Sequence, residues 1–172
     1  FWNNWVKPIK NAANTSVLAL PDRLLALWEG GQPHALDLET LETIGIDNLS
    51  ALADKQPFSA HPKVDPITGN IFNFGVAGGA NGTLNLYRCD PTGKLEQQNS
   101  HTLTGLPLIH DFCFAGQYLI FLVSPVRVSI PAVMLGQKSY SDSLEWKPEL
   151  VTEILIFDRD DRLGIPFADG FQ

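Results

Sequence analysis

The chain has 172 residues, 44% of them apolar, and 19 acidic against 12 basic side chains give a formal net charge of −7. This length and apolar content suffice for one ordinary core and exclude an intrinsically disordered chain. The acidic balance excludes phosphate-backbone binding, which Lys and Arg drive, so no nucleic-acid partner is expected. In chain order, short apolar runs predict strands at 16–20, 24–28, 71–76, 83–88, 118–123 and 153–157. Turn signals separate them: Pro21-Asp22, Gly30-Gly31, Gly78-Gly79, Asn81-Gly82, Pro91-Thr92-Gly93 and Gly116. Helix signals are weak, and only Leu38 to Leu52 has room for a helical turn or two. Strands of about five residues with a turn every ten or so predict an all-β protein.

Two cysteines, Cys89 and Cys113, are too few for a disulfide framework or a zinc site, and a reducing interior is the simplest location. The glycosylation-like triplets at Asn14, Asn48 and Asn81 read as chance matches. The most apolar region is 106–136, but its longest clean run, Tyr118 to Val123, is far below the ~20 residues that cross a bilayer. Within it, Val126 to Gly136 has two readings: an exposed patch that touches a membrane, or an insertion buried between strands.

A faint repeat runs through the chain. HALDLETLETIG, NLYRCDPTGKLE and ILIFDRDDRLGI share an apolar strand, an aspartate, a polar turn and a new strand. The aspartates are Asp37, Asp90 and Asp158, spaced by 53 and then 68 residues. A period near 50 with several strands per unit is the signature of a β-propeller. The longer second spacing points to an insertion near 126–148. About three such units fit in the chain, and a three-blade ring would leave open sheet edges. The chain is therefore expected to be part of a larger ring and unstable on its own.

His61 and His110 stand 49 residues apart, close to one repeat, each beside a predicted strand in FSAHPK and LPLIHDF. Residues one repeat apart take equivalent places on neighbouring blades, and the inner strands run beside the axis. Two imidazoles there would converge and suit a first-row metal such as Fe, Cu or Zn. Hydrogen-bonded packing is the other reading of each, and spacing leaves both open. His34 and His101 read as ordinary hairpin residues. Gly78 to Gly82 lacks the Lys-Ser/Thr of a phosphate loop and reads as a hairpin turn. Asp158, Asp160 and Asp161, interleaved with Arg159 and Arg162, read as a solvated turn. No nucleophile elbow or metalloprotease helix motif occurs.

Three stretches carry more: KNAANTSVLALPDRLLALWEGGQPHALDLETLETIG, FSAHPKVDPITGNIFNFG and GLPLIHDFCFAGQYLIF. Together they resemble the carotenoid cleavage oxygenases, in the right order and over nearly the whole chain. The most specific motifs are Leu27-Trp28-Glu29-Gly30-Gly31, Ala60-His61-Pro62-Lys63 and Ile109-His110-Asp111-Phe112. The resemblance implies a seven-bladed β-propeller, of which residues 1–172 would supply about three blades. It implies a non-haem Fe(II) on the axis, held by four histidines. Carried over by motif, His61 is similar to the first iron ligand and His110 to the second. Glu29 is similar to a carboxylate that accepts the ring N–H of His110; the other reading makes it a turn residue before Gly30. The third and fourth family histidines have no counterpart here. The third would follow the stretch resembling TEILIFDRDD, where the sequence reaches 167–172. The chain alone is expected to hold half a site and to be inactive.

For the intact protein, the resemblance implies oxidative cleavage by O₂ of a conjugated C=C bond in a carotenoid or apocarotenoid, giving two carbonyl products. The expected partners are that substrate and O₂. The expected state is a monomer in a cytoplasmic or plastid-like interior, with peripheral membrane contact because carotenoids dissolve in membranes. No general acid–base pair is required, and none stands out. A stilbene-cleaving oxygenase is the nearest alternative. A non-catalytic propeller module is the other, and it gives His61, His110 and Glu29 no reason to converge.

Overall fold

The computed structural model describes residues 11–79, 81–129 and 141–159. Among these residues the regular structure is all β, apart from one 3₁₀ turn at Ser141–Ser143. Strands β1 (Ser16–Ala19), β2 (Leu24–Leu27), β3 (His34–Leu36) and β4 (Thr43–Ile46) form an antiparallel meander in that order. A second meander follows: β5 (Lys63–Val64), β6 (Ile71–Ala77), β7 (Thr83–Cys89) and β8 (Leu95–Thr102). The third sheet pairs β9 (Cys113–Ala115) with β10 (Tyr118–Val123), and β10 with β13 (Glu153–Asp158). Between β10 and β13 sits a separate hairpin of β11 (Val126–Val128) and β12 (Leu144–Trp146). Successive antiparallel meanders packed face to face are the blades of a β-propeller. The chain supplies about three, and the β11–β12 hairpin is the insertion that lengthens the repeat.

The middle blade explains the packing. Alternate residues of β6 and β7 leave on opposite faces. Phe72, Phe74, Leu84 and Leu86 meet Leu119, Phe121, Leu155 and Phe157 of the third blade. Ile71, Tyr87 and Cys89 meet Leu25, Leu27 and Ala35 of the first. A sheet covered on both faces must be apolar on both, and Ile71 to Gly75 are buried without a break. Phe121 is the hub of the second interface. Its ring centroid lies 5.2 Å from Phe74, 5.2 Å from Phe112 and 5.8 Å from Phe157. Each fully buried ring of this kind contributes about 1.5–3 kcal/mol.

Two of the repeated aspartates, Asp37 and Asp90, do the same job. Asp37 closes the β3–β4 turn, its Oδ1 accepting the N–H groups of Glu39 and Thr40 at 2.9 and 2.8 Å. Asp90 closes β7–β8 in the same way, accepting from Thr92 and Lys94 at 2.8 and 3.0 Å. The Thr40 N–H, with that of Glu39, holds the Asp37 carboxyl below its ordinary range. The Thr92 hydroxyl does so first for Asp90. Asp158 ends β13 at the equivalent place, and the residues after Arg159 lie outside the described ones.

Two expectations need correction. The stretch 38–52 holds no helix: β4 occupies its middle, with isolated turns on either side, where the Asp37 carbonyl accepts from Leu41 at 3.1 Å and the Asn48 carbonyl from Ala51 and Leu52 at 3.0 and 2.6 Å. Leu49 and Ser50 sit there at φ of 52° and 68°, a left-handed bend that a right-handed helix cannot continue. Arg159 is not part of a solvated turn. Its guanidinium donates to buried Asp65 at 2.9 Å and lies over the rings of Phe114 and Phe72, at 5.0 and 5.8 Å. It fastens the β5–β6 turn of the second blade to the end of β13. The other members of that stretch, Asp160, Asp161 and Arg162, lie outside the described residues.

Of the apolar stretch 126–136, Val126–Val128 pair with β12, and Val128 is buried. Ile130 to Gly136 lie outside the described residues. No helix among the described residues is long and apolar enough to cross a membrane. Both cysteines are free thiols. Cys89 is buried, which pushes its thiol up to about 12, and Cys113 is exposed.

Candidate metal centre

Three loops, one from each blade, deliver the candidate site. Glu29 follows β2 in Trp28-Glu29-Gly30-Gly31. The Trp28 indole folds back over both glycines: a Cβ at Gly30 would lie 2.9 Å from the ring, and one at Gly31 2.5 Å from Nε1. A side chain at either position would have to push that ring aside. The Gly31 carbonyl then accepts the N–H of Phe58 at 3.0 Å, tying this loop to the next.

His61 is held by a buried polar pair. The Ser59 hydroxyl donates to Asn73 Oδ1 at 2.9 Å, and Asn73 Nδ2 donates back to the Ser59 carbonyl at 2.8 Å. Ser59 N–H also donates to the Phe74 carbonyl at 2.7 Å, and the N–H of His61 reaches the Ser59 hydroxyl at 3.3 Å. From the first blade, the Ser16 hydroxyl donates to the Ala60 carbonyl. Pro62 keeps His61 out of the α region. The histidine backbone is thus bound to the first two blades before its ring makes any contact.

His110 lies between two core anchors, Ile109 and Phe112, both buried. Its own side chain is 64% exposed, so packing does not hold the ring. Asp111 Oδ1 accepts the Phe112 N–H at 2.7 Å and contacts Lys63 Nζ at 2.8 Å. Burial works against the charged Asp111 carboxyl, but Lys63 and the Phe112 N–H outweigh it and hold the group below its ordinary range.

The three side chains converge. His61 Nε2 lies 3.2 Å from His110 Nε2. Glu29 Oε1 lies 3.1 Å from His110 Nδ1 and 3.7 Å from His61 Nε2. Oε1 is shut off from solvent and makes no well-aligned hydrogen bond, and the Nδ1–H of His110 is the donor within reach. Oε2 accepts from the Thr15 hydroxyl at 3.4 Å. These residues form a group of His and Glu able to hold one metal ion. The spacing fits: two imidazoles about 2.1 Å from one divalent ion stand roughly 3.0–3.4 Å apart in octahedral cis or tetrahedral geometry. Neutral imidazole suits Fe, and a carboxylate on the far nitrogen is the usual partner of a ligating histidine.

His34 and His101 take no part. His34 pairs with Ile46 in the first blade, and His101 meets the Phe157 ring edge-on at 5.7 Å. The motifs had pointed to Glu29, His61 and His110, but not to the supports. An asparagine inside the apolar run Ile71 to Val76 was a usable signal, because a buried amide requires a partner. Nothing local marked Ser16, Thr15 or the Lys63–Asp111 contact.

Face-to-face antiparallel blades that bring two imidazoles and a carboxylate together define a β-propeller with a histidine-based candidate metal centre. The chain belongs to the retinal pigment epithelial membrane protein family (RPE65), whose model it matches over residues 1–169. This agrees with the carotenoid oxygenase motifs. It is 38% identical to the apocarotenoid-15,15'-oxygenase of Synechocystis sp., over 97% of this chain and 37% of that protein. It is 32% identical to a resveratrol cleavage oxygenase of Aspergillus fumigatus, over 82% of this chain and 28% of that one. It is also 32% identical to an isoeugenol monooxygenase of Pseudomonas nitroreducens, over 87% and 31%. Among solved structures, the cobalt-substituted Synechocystis apocarotenoid oxygenase superimposes with a TM-score of 0.84 at 38% identity, over 95% of this chain and 35% of that one. The chain thus spans about a third of the length of these relatives.

Proposed function

We propose that the protein containing this chain is an Fe(II)-dependent oxygenase that cleaves a conjugated C=C bond of a carotenoid or apocarotenoid. The carrying observation is the 3.2 Å approach of His61 Nε2 to His110 Nε2, with Glu29 Oε1 beside His110 Nδ1. A non-catalytic module gives no account of that convergence. Fe(II), when bound, would supply the O₂ activation that no side chain in this chain can perform. His61 and His110 would hold the ion through Nε2. Glu29 keeps the His110 proton on Nδ1, so the Nε2 lone pair is free, and it raises the basicity of that ring. Neutral ligands leave the ion its full positive charge. The remaining ligands would come from the part of the protein that the relatives possess and this chain does not span. Residues 1–172 would then be one part of a seven-bladed domain. It would work as a monomer, in a cytoplasmic or plastid-like interior, against a membrane face that supplies the apolar substrate.

An apocarotenoid substrate is favoured because the relative of that name matches at higher identity and coverage than those named for resveratrol or isoeugenol. The test uses the full-length protein. Metal analysis is expected to find about one iron per chain. Incubation under ¹⁸O₂ with an apocarotenal, resveratrol and isoeugenol, with products reduced at once to alcohols before carbonyl exchange, is expected to label both fragments of the apocarotenal. Label in one fragment would make the enzyme a monooxygenase. Cleavage of resveratrol alone would move it to the stilbene class. Absence of iron or of any cleavage would sink the proposal.

Glu29→Gln keeps the shape and removes the charge that supports His110. Iron affinity of the full-length protein is expected to fall about 10- to 100-fold. Competition against a chelator measures this, and unchanged retention would show that Glu29 is only a turn residue.

A further inference from the structure

The two histidine loops are joined by one contact that metal binding itself does not supply. Lys63 Nζ meets Asp111 Oδ1 at 2.8 Å and lies 5.6 Å from the centre of the Phe112 ring. Lys63 is two residues past His61, and Asp111 directly follows His110. Among the described residues, no other hydrogen bond or ion pair joins these loops apart from the contact between the two imidazoles. The two ends are anchored differently. Lys63 opens β5, and its backbone is fixed in register opposite Phe72. Asp111 belongs to the loop before β9, and its carboxylate also accepts the Phe112 N–H at 2.7 Å. The ion pair therefore ties the loop of His110, whose ring is 64% exposed, to the strand edge beside His61.

We propose that Lys63 and Asp111 are positioning residues that set the His61–His110 separation for the metal, a role that rests on the metal reading above. They touch neither the ion nor the substrate. Their effect is preorganisation: without the pair, the His110 loop must be ordered by the ion when it binds. Both side chains are partly exposed, so the pair adds little to overall stability. A positioning role thus predicts a change in metal affinity without a matching change in the melting temperature of the metal-free protein.

The experiment titrates Co(II), as a spectroscopic probe, into metal-stripped full-length protein. Lys63→Met, which keeps the stem over Phe112, and Asp111→Asn are each expected to weaken Co(II) binding about 10-fold, the low end for groups that support a ligand. Their visible ligand-field bands are expected to broaden. Lys63→Arg, which keeps the positive charge, the stem over Phe112 and the Asp111 carboxylate with its Phe112 N–H, is expected to retain most of the affinity. Metal-free melting temperatures separate the roles. A fall in melting temperature that accounts for the lost affinity overturns the positioning role. So does wild-type affinity in both Lys63→Met and Asp111→Asn, or a loss in Lys63→Arg as large as that in Lys63→Met. If the wild-type protein binds no Co(II), the metal reading falls and this proposal with it, a result distinct from tight binding in every variant.

Discussion

His61→Ala and His110→Ala, made separately in the full-length protein, are each expected to strip it of iron. A supporting partner of a ligating histidine is worth roughly 10- to 100-fold in affinity, and losing the ligand itself costs more. Cleavage activity is expected to fall below detection with the iron. The folded state should survive. The His110 ring is mostly exposed, and substitutions away from core features stay within about 0.5 kcal/mol. The His61 backbone keeps its Ser59 and Ser16 anchors, neither of which involves the ring. The measurement is iron per chain, with melting of the metal-stripped protein alongside. His34→Ala and His101→Ala are the controls, and both are expected to retain iron. Full iron content in either ligand variant would remove the centre from these loops.

The apolar runs were legible because β2, β6 and β7, in the middle of their blades, are buried on both faces, and β10 and β13 on one. The predicted runs at 16–20, 24–28, 71–76, 83–88, 118–123 and 153–157 became β1, β2, β6, β7, β10 and β13 within a residue or two. β8 carries the run Leu-Glu-Gln-Gln-Asn-Ser-His-Thr, and after Leu95 its side chains alternate between exposed and half-buried. Hydrophobic pattern cannot find such a strand. Only the repeat plan, which calls for a strand after the Asp90 turn, placed it. β5 and β9, two and three residues long, exist through pairing and leave no local trace.

The site divides in the same way. His61 and His110 were visible through a spacing of one repeat, and Glu29 through its motif. Their supports lie far apart in sequence and meet only in the folded blades: Ser59 with Asn73, Ser16 with Ala60, and Lys63 with Asp111. Residue type gave a hint at Asn73 alone. Arg159 was misread for a related reason. A charged residue among aspartates resembles a solvated turn until Asp65, 94 residues away, is brought beside it.

Gly75→Ala is expected to be among the most damaging single changes to the fold, and it reaches the proposed metal centre by a traceable route. Gly75 lies in β6 opposite Asn85. An added Cβ would overlap the Pro57 carbonyl oxygen, far inside van der Waals contact distance, and lie 2.7 Å from the Pro57 carbonyl carbon. The obstacle is backbone, so no rotamer change relieves it. Either β6 or the Pro57 segment must move. That carbonyl also accepts the buried Tyr87 hydroxyl at 2.9 Å, and burial pushes the phenol's pKa up, so ionisation offers no escape. Overpacking costs about 1–3 kcal/mol, and a broken buried hydrogen bond about 1–3 more. Together these take a large share of the roughly 5–15 kcal/mol that keeps a domain folded. Pro57 is four residues before His61, and the shift travels through Phe58 and Ser59, so iron content should fall with stability. Gly78→Ala, where nothing lies within 4 Å of the new methyl, is the control and is expected to melt like the wild type. Urea unfolding and iron content of the full-length variants measure both effects. A Gly75→Ala protein as stable as Gly78→Ala would mean that the Pro57 carbonyl does not rest on β6, and that His61 is held in place by something other than this contact.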